Sequence, residues 1–259
     1  MMELPMKYKN PSIIEALCEF TFAPETPWDS TIFGRFYEQV KNDFPQRDEG
    51  EVVTASLALN LQPAHNPAAP QLTRSPRMAF SCEGRTRLIQ VSERLLSVHV
   101  LAPYPGWDEQ FRKMILNAIG VYRRVTGISE VAQIVLRYLD RFDFEDPSFR
   151  LGDWLNCDGG LFARELAEQS LMAYQIRHPL SDGEHFAMTA VSGTIENNLV
   201  ACNVTLDTQI IRAQPIEMDA ASTPLDSMHS RIIHAFERSI TEKMRERLGP
   251  ILQKHGDVK

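Results

Sequence analysis

Residues 13–22 and 133–144 read as the same kind of strand, and each opens a series of elements that closes with a long amphipathic helix. In the first strand Ile14, Ala16, Cys18, Phe20 and Phe22 fall on one face, while Glu15, Glu19 and Thr21 fall on the other. That period of two belongs to a half-buried strand. Ile32, Phe33, Phe36, Tyr37 and Val40 then form one stripe of a short helix, ended by Phe44-Pro45. Residues 52–61, 78–82, 88–91 and 95–101 predict further strands, with Gly84 turning between two of them, so the sheet grows by hairpins. Residues 62–76, rich in proline and polar side chains, predict an exposed loop or flap. Pro105-Gly106-Trp107-Asp108 opens a helix that carries Trp107, Phe111, Met114, Ile115, Ala118, Ile119 and Tyr122 on one side and closes at Gly127.

The pattern then restarts. A helical stretch at 154–166, interrupted by Gly159-Gly160, is followed by strands at 171–178, 186–191 and 199–211. The last helix begins with Thr223 as N-cap, Pro224 at the first helical position and Asp226 where a carboxylate suits the helix start. Met228, Ile232, Phe236, Ile240, Met244 and Leu248 recur every four residues, which predicts one continuous buried face. The expected fold is α+β: a duplicated β-α-β-β-β-α unit, residues 1–129 and 130–259, packed as one pseudo-two-fold body. Its sheet is mostly antiparallel, with the long helices on one face. This element order resembles TATA-binding-protein-like folds, a likeness of arrangement that implies nothing about DNA.

At 259 residues and 43% hydrophobic, the chain can bury a core without disulfides or metal. A net charge of −7 argues against general binding to nucleic acid or anionic membrane, both of which call for excess Lys and Arg. The opening residues lack the pattern of a signal peptide and no apolar run is long enough to span a bilayer, so a cytoplasmic, non-membrane protein is expected. Cys18, Cys82, Cys157 and Cys202 are scattered singly and read as reduced core thiols.

Tyr8-Lys9-Asn10-Pro11-Ser12-Ile13-Ile14-Glu15-Ala16, with Phe20 and Phe22, resembles the opening of a sporadically distributed family of uncharacterised prokaryotic proteins of about this length. The likeness continues through Tyr104 and Trp107, the Arg137-Tyr138-Leu139-Asp140 strand and the Phe236 helix. Ser12 stands where that family often has proline, and Asp140 where it often has Asn. The resemblance implies no established activity, and the family's patchy distribution implies a defence, mobile-element or toxin–antitoxin setting.

No GxSxG elbow, phosphate-cradling glycine loop or metal-ligand spacing is present, and no cofactor is expected. His178, Asp182 and His185 have metal-binding chemistry, but Ser181-Asp182-Gly183 reads first as a hairpin turn. Carboxylates such as Asp140 with Asp143 read as solvated loop charge. Glu15 and Glu19 share one face of the first strand, and Arg137 and Arg141 one face of its counterpart, so the pairs can meet at the seam of the halves. Arg74, Arg77, Arg85, Arg87 and Arg94 form a candidate basic patch with few interleaved aromatics. The leading expectation is a non-enzymatic binding module serving a protein partner or a second copy. One alternative is a metal-independent protein that binds or acts on an anionic ligand through Arg137, Arg141 and His178. The other is nonspecific nucleic-acid binding through Arg85, Arg87 and their neighbours. Arg137, Arg141, His178, Arg85 and Arg87 are thus the candidate ligand-binding residues.

Overall fold

Alternation of apolar and polar side chains sorts nearly every strand of this chain into a covered face and an open one. The computed structural model describes residues 7–23, 28–56, 71–145, 150–156, 173–180, 183–194 and 202–251. In chain order, β1 (Lys7–Tyr8) and β2 (Ile13–Thr21) lead to α1 (Thr31–Val40). Then come β3 (Gln46–Ser56), β4 (Gln71–Ser81), β5 (Arg87–Ser92) and β6 (Leu95–Leu101). A π-helical turn, Trp107–Phe111, runs into α2 (Arg112–Thr126). The second half holds β7 (Glu130–Val131), β8 (Gln133–Phe144), α3 (Leu151–Trp154), β9 (Ala173–Pro179), β10 (Glu184–Thr194), β11 (Cys202–Arg212) and β12 (Ile216–Glu217). It closes with α4 (Ser222–Ser239), α5 (Glu242–Leu248) and β13 (Pro250–Ile251).

Nine strands form one antiparallel sheet in the order β3-β4-β5-β6-β2-β8-β11-β10-β9. At its centre β2 and β8 lie side by side, Leu17 opposite Arg137 and Cys18 opposite Leu136. Ala16, Cys18 and Phe20 of β2, Leu96, Val98 and Val100 of β6, and Ile134, Leu136 and Tyr138 of β8 all point to one side and are buried. The helices fill that side: Phe36 of α1 stacks on Phe80 at 5.6 Å, and Tyr122 of α2 stacks on Phe22 at 4.3 Å. One core cluster takes residues from both halves, from Ala16 to Ile232. A second lies under the end of the chain, with Phe142, Phe144, Phe236 and Met244. Burial of each large apolar side chain contributes roughly 1.5–3 kcal/mol, so this layer is what holds α1, α2 and α4 to the sheet.

Several expectations change. Between its helices the first half carries four strands, β3 to β6, because residues 71–76 of the anticipated flap extend β4, Pro76 included. The remainder of that flap and most of the anticipated helix at 154–166 fall outside the described residues. The last helix starts at Ser222, with Ala221 rather than Thr223 at its N-cap, since a 3-10 turn at Met218–Ala220 leads into it. It also breaks once, between α4 and α5. Cys18 and Cys82 are free and buried, as expected of core thiols. No described helix is long and apolar enough to cross a membrane.

Candidate functional site

The side chains opposite in phase to the core lie on the other face of the sheet, against which no described helix packs. At its middle, Leu17 of β2 has His99 of β6 opposite it on one side and Arg137 of β8 opposite it on the other. Glu15 and Glu19 sit two residues before and after it on the same face. Leu88, Leu95, Leu101, Val135, Leu139 and Ile211 are half-exposed among these charges.

His99 Nδ1 is 2.8 Å from Glu15 Oε1, and its Nε2 is 2.9 Å from Ser97 Oγ. The hydrogen bond to His99 holds the Glu15 carboxyl below its ordinary range, whereas burial pushes that of Glu19 up. Glu15–His99–Ser97 repeats the order of an acyl-transfer triad, but its surroundings oppose that chemistry. Ser97 is only 2% exposed and lies directly opposite the Glu19 carboxyl. Its strand is paired on both sides, so the ladder consumes the backbone N–H groups that would stabilise an oxyanion. The chain of hydrogen bonds orders the face instead.

A second locus lies toward the far edge. An open depression of about 390 Å³ is bordered by Arg177, His178, Pro179, His185, Phe186, Ala187, Gln209 and Ile211. Ala187 is paired with Arg177 on one flank and Gln209 on the other. A methyl between two long side chains therefore makes the floor.

The anticipated site residues do not converge. Arg137 is an electrostatic neighbour of Glu15 and Glu19, as a seam would place it, but its guanidinium bonds in bidentate fashion to Asp207 at 2.7 and 2.6 Å. Arg141 pairs with Asp143 at 2.9 Å rather than with either glutamate. Arg85 pairs with Asp48 at 3.3 Å, and the Arg87 guanidinium lies 5.8 Å from the Phe44 ring centre. Arg74 pairs with Glu51, so much of the expected basic patch is neutralised within its own hairpin. His178 borders the depression, but its cross-strand partner is Phe186 and not His185. His178 and His185 thus belong to opposite faces, which rules out the pair as joint metal ligands; Asp182 lies outside the described residues. Among the described residues no three His, Cys, Asp or Glu side chains cluster as metal ligands.

Sequence reasoning missed His99 and Ser97, although their two-residue spacing opposite Leu96, Val98 and Val100 puts both on the polar face. It also missed Arg177 and Ala187, for which only the β9–β10 register supplies the signal. Asp140 is the opposite case: expected among solvated charges, it is 3% exposed under the helices and accepts a hydrogen bond from Ser12 at 2.7 Å. Compared with models of protein families and with curated proteins, the chain matches none.

Proposed function

We propose that this chain is a non-enzymatic binding module whose working surface is the helix-free face of the sheet, presented to a protein partner, either a second copy or a different chain. The observation that carries the reading is the one-sided layer: all described long helices cover one face, and the other shows half-exposed leucines among charges that are already paired. Pre-paired charges keep such a face soluble and add specificity more than affinity when a partner arrives. The resemblance to the sporadically distributed prokaryotic family adds a setting, a bacterial defence or toxin–antitoxin-like system. The same proposal includes a duplicated unit. In its support, β6 and β2 precede α2 much as β11 and β8 precede α4, and β2 meets β8 at the centre. Nucleic-acid binding through Arg74 to Arg94 gains no support from an arginine set engaged by Glu51, Gln90, Asp48, Phe44 and the Phe22 carbonyl.

Native mass spectrometry of the protein purified from its own host tests this reading. The wild-type chain is expected with a stoichiometric protein partner. Leu88→Lys and Leu139→Lys, each on the open face, lose the partner with unchanged melting behaviour, whereas Lys113→Glu on exposed α2 surface keeps it. A bare wild-type mass, or turnover that depends on a polar residue of this face, contradicts the proposal.

A further inference from the structure

We infer that the depression over β9, β10 and β11 binds a small organic anion, an apolar body that carries one phosphate or carboxylate group. The inference is independent of partner docking, because it uses different residues at the edge of the sheet.

Arg177, His178 and His185 border the depression, and all three are exposed. None of them makes a side-chain hydrogen bond or ion pair among the described residues. That sets Arg177 apart from Arg137 and Arg141, whose guanidinium groups are held by carboxylates. The border contains no carboxylate. Glu184 precedes His185 in the chain, but it is turned to the covered face, where Arg212 and Arg231 both bind it. Asp207 is occupied by Arg137. The result is a locally cationic rim on a chain of net charge −7.

An arginine fork and imidazole N–H groups suit planar or tetrahedral oxyanions, and the Gln209 amide adds a neutral donor. The floor has a different chemistry. Ala187, Pro179 and Ile211 are apolar, so a bare ion leaves them unused and a ligand with a ring or short chain covers them. About 390 Å³ matches the volume of sites that take such molecules. Ala187 is the residue that creates the space, since any larger side chain there would rise between Arg177 and Gln209.

The test is a titration of the full chain, followed by backbone amide resonances, with phenyl phosphate, benzoate, inorganic phosphate and benzyl alcohol. Phenyl phosphate, benzoate or both are expected to give saturable shifts centred on Arg177, His185, Ala187, Gln209 and Ile211, and their ratio identifies the preferred head group. Inorganic phosphate binds at least about ten-fold more weakly, and benzyl alcohol gives no saturable shift. Arg177→Ala weakens the organic anions about ten-fold or more, and Ala187→Leu removes binding by filling the floor. Arg177 is an exposed edge residue, so its variant decides the matter even if Ala187→Leu misfolds. Any of four results overturns the inference: no saturable shift with either organic anion, equal binding by Arg177→Ala, inorganic phosphate as tight as phenyl phosphate, or benzyl alcohol as tight as the anions. None of these bears on partner capture, which is read at Leu88 and Leu139.

Discussion

Asp140 and His229 lie near each other under the helices, and their ionisations work on stability in opposite directions. Burial pushes the Asp140 carboxyl up to about 7, with one hydrogen bond from Ser12 as partial compensation. His229 stacks on Trp107 at 4.2 Å, meets the Tyr138 hydroxyl at 3.0 Å, and is pushed down by burial to about 4. For Asp140 the folded state holds a proton that the unfolded chain has released, so its contribution falls as pH rises from about 4 to about 7. For His229 the unfolded chain takes up a proton that the folded state refuses, so its contribution falls as pH drops from about 6.5 to about 4. In the wild-type protein the two slopes offset each other over the shared window. Asp140→Asn keeps an acceptor for Ser12 and removes the buried charge. It is expected to raise stability above pH 7 by up to about 4 kcal/mol and to leave a chain that weakens on acidification. His229→Asn should show the reverse slope. Urea midpoints from pH 4 to pH 8 read both effects, and an Asp140→Asn protein less stable than wild type at pH 8 contradicts the account.

The break between α4 and α5 shows what element-scale periodicity can and cannot convey. Met228, Ile232, Phe236, Ile240, Met244 and Leu248 are all buried, as their four-residue spacing predicts. Yet Ile240 adopts φ −105° and ψ 148°, an extended conformation that ends α4. Spacing reports which side chains are covered, not whether the backbone between them is continuous. What makes the break affordable is a remote turn. Asn156 donates to the carbonyls of Arg238 and Ile240, both at 2.9 Å, and Thr241 donates to the Asp153 carbonyl at 2.7 Å. Thr241 also accepts from the Met244 amide at 3.4 Å, which caps α5. Thr241→Ala is therefore expected to cost about 1 kcal/mol in a denaturant melt, and a change within about 0.3 kcal/mol would remove the cap from the explanation. The other long helix was more legible. Gly127, at φ 77°, ends α2 where the sequence puts its stop, because few other residues accept that backbone conformation.

On the scale of the whole molecule, the α+β class, the run of hairpins and the one-sided helix layer were readable from alternation and helical stripes. Strand neighbours were not. Glu15 and His99 are 84 positions apart, and only the β2–β6 register brings them together. The same limit explains Arg137, whose face was read correctly but whose partner, Asp207, belongs to a strand pairing that local pattern does not encode. Lys7 and Tyr8 lie against Ile251 and Pro250, extended by backbone bonds from Lys9 to Gly249 and from Asn10 to Leu248, with the Tyr8 hydroxyl donating to Glu237 at 2.8 Å. Lys7 and Ile251 are at the same end of this short antiparallel ladder, so tension applied between them loads its bonds in sequence rather than together. An optical-trap experiment tethered at those two positions should show an early, low-force peeling step before the sheet ruptures, and a single high-force rupture would contradict it. Mechanically, the protein has a zipper at its tether points and shear-loaded strands behind it, so small forces are absorbed without disturbing the nine-stranded sheet.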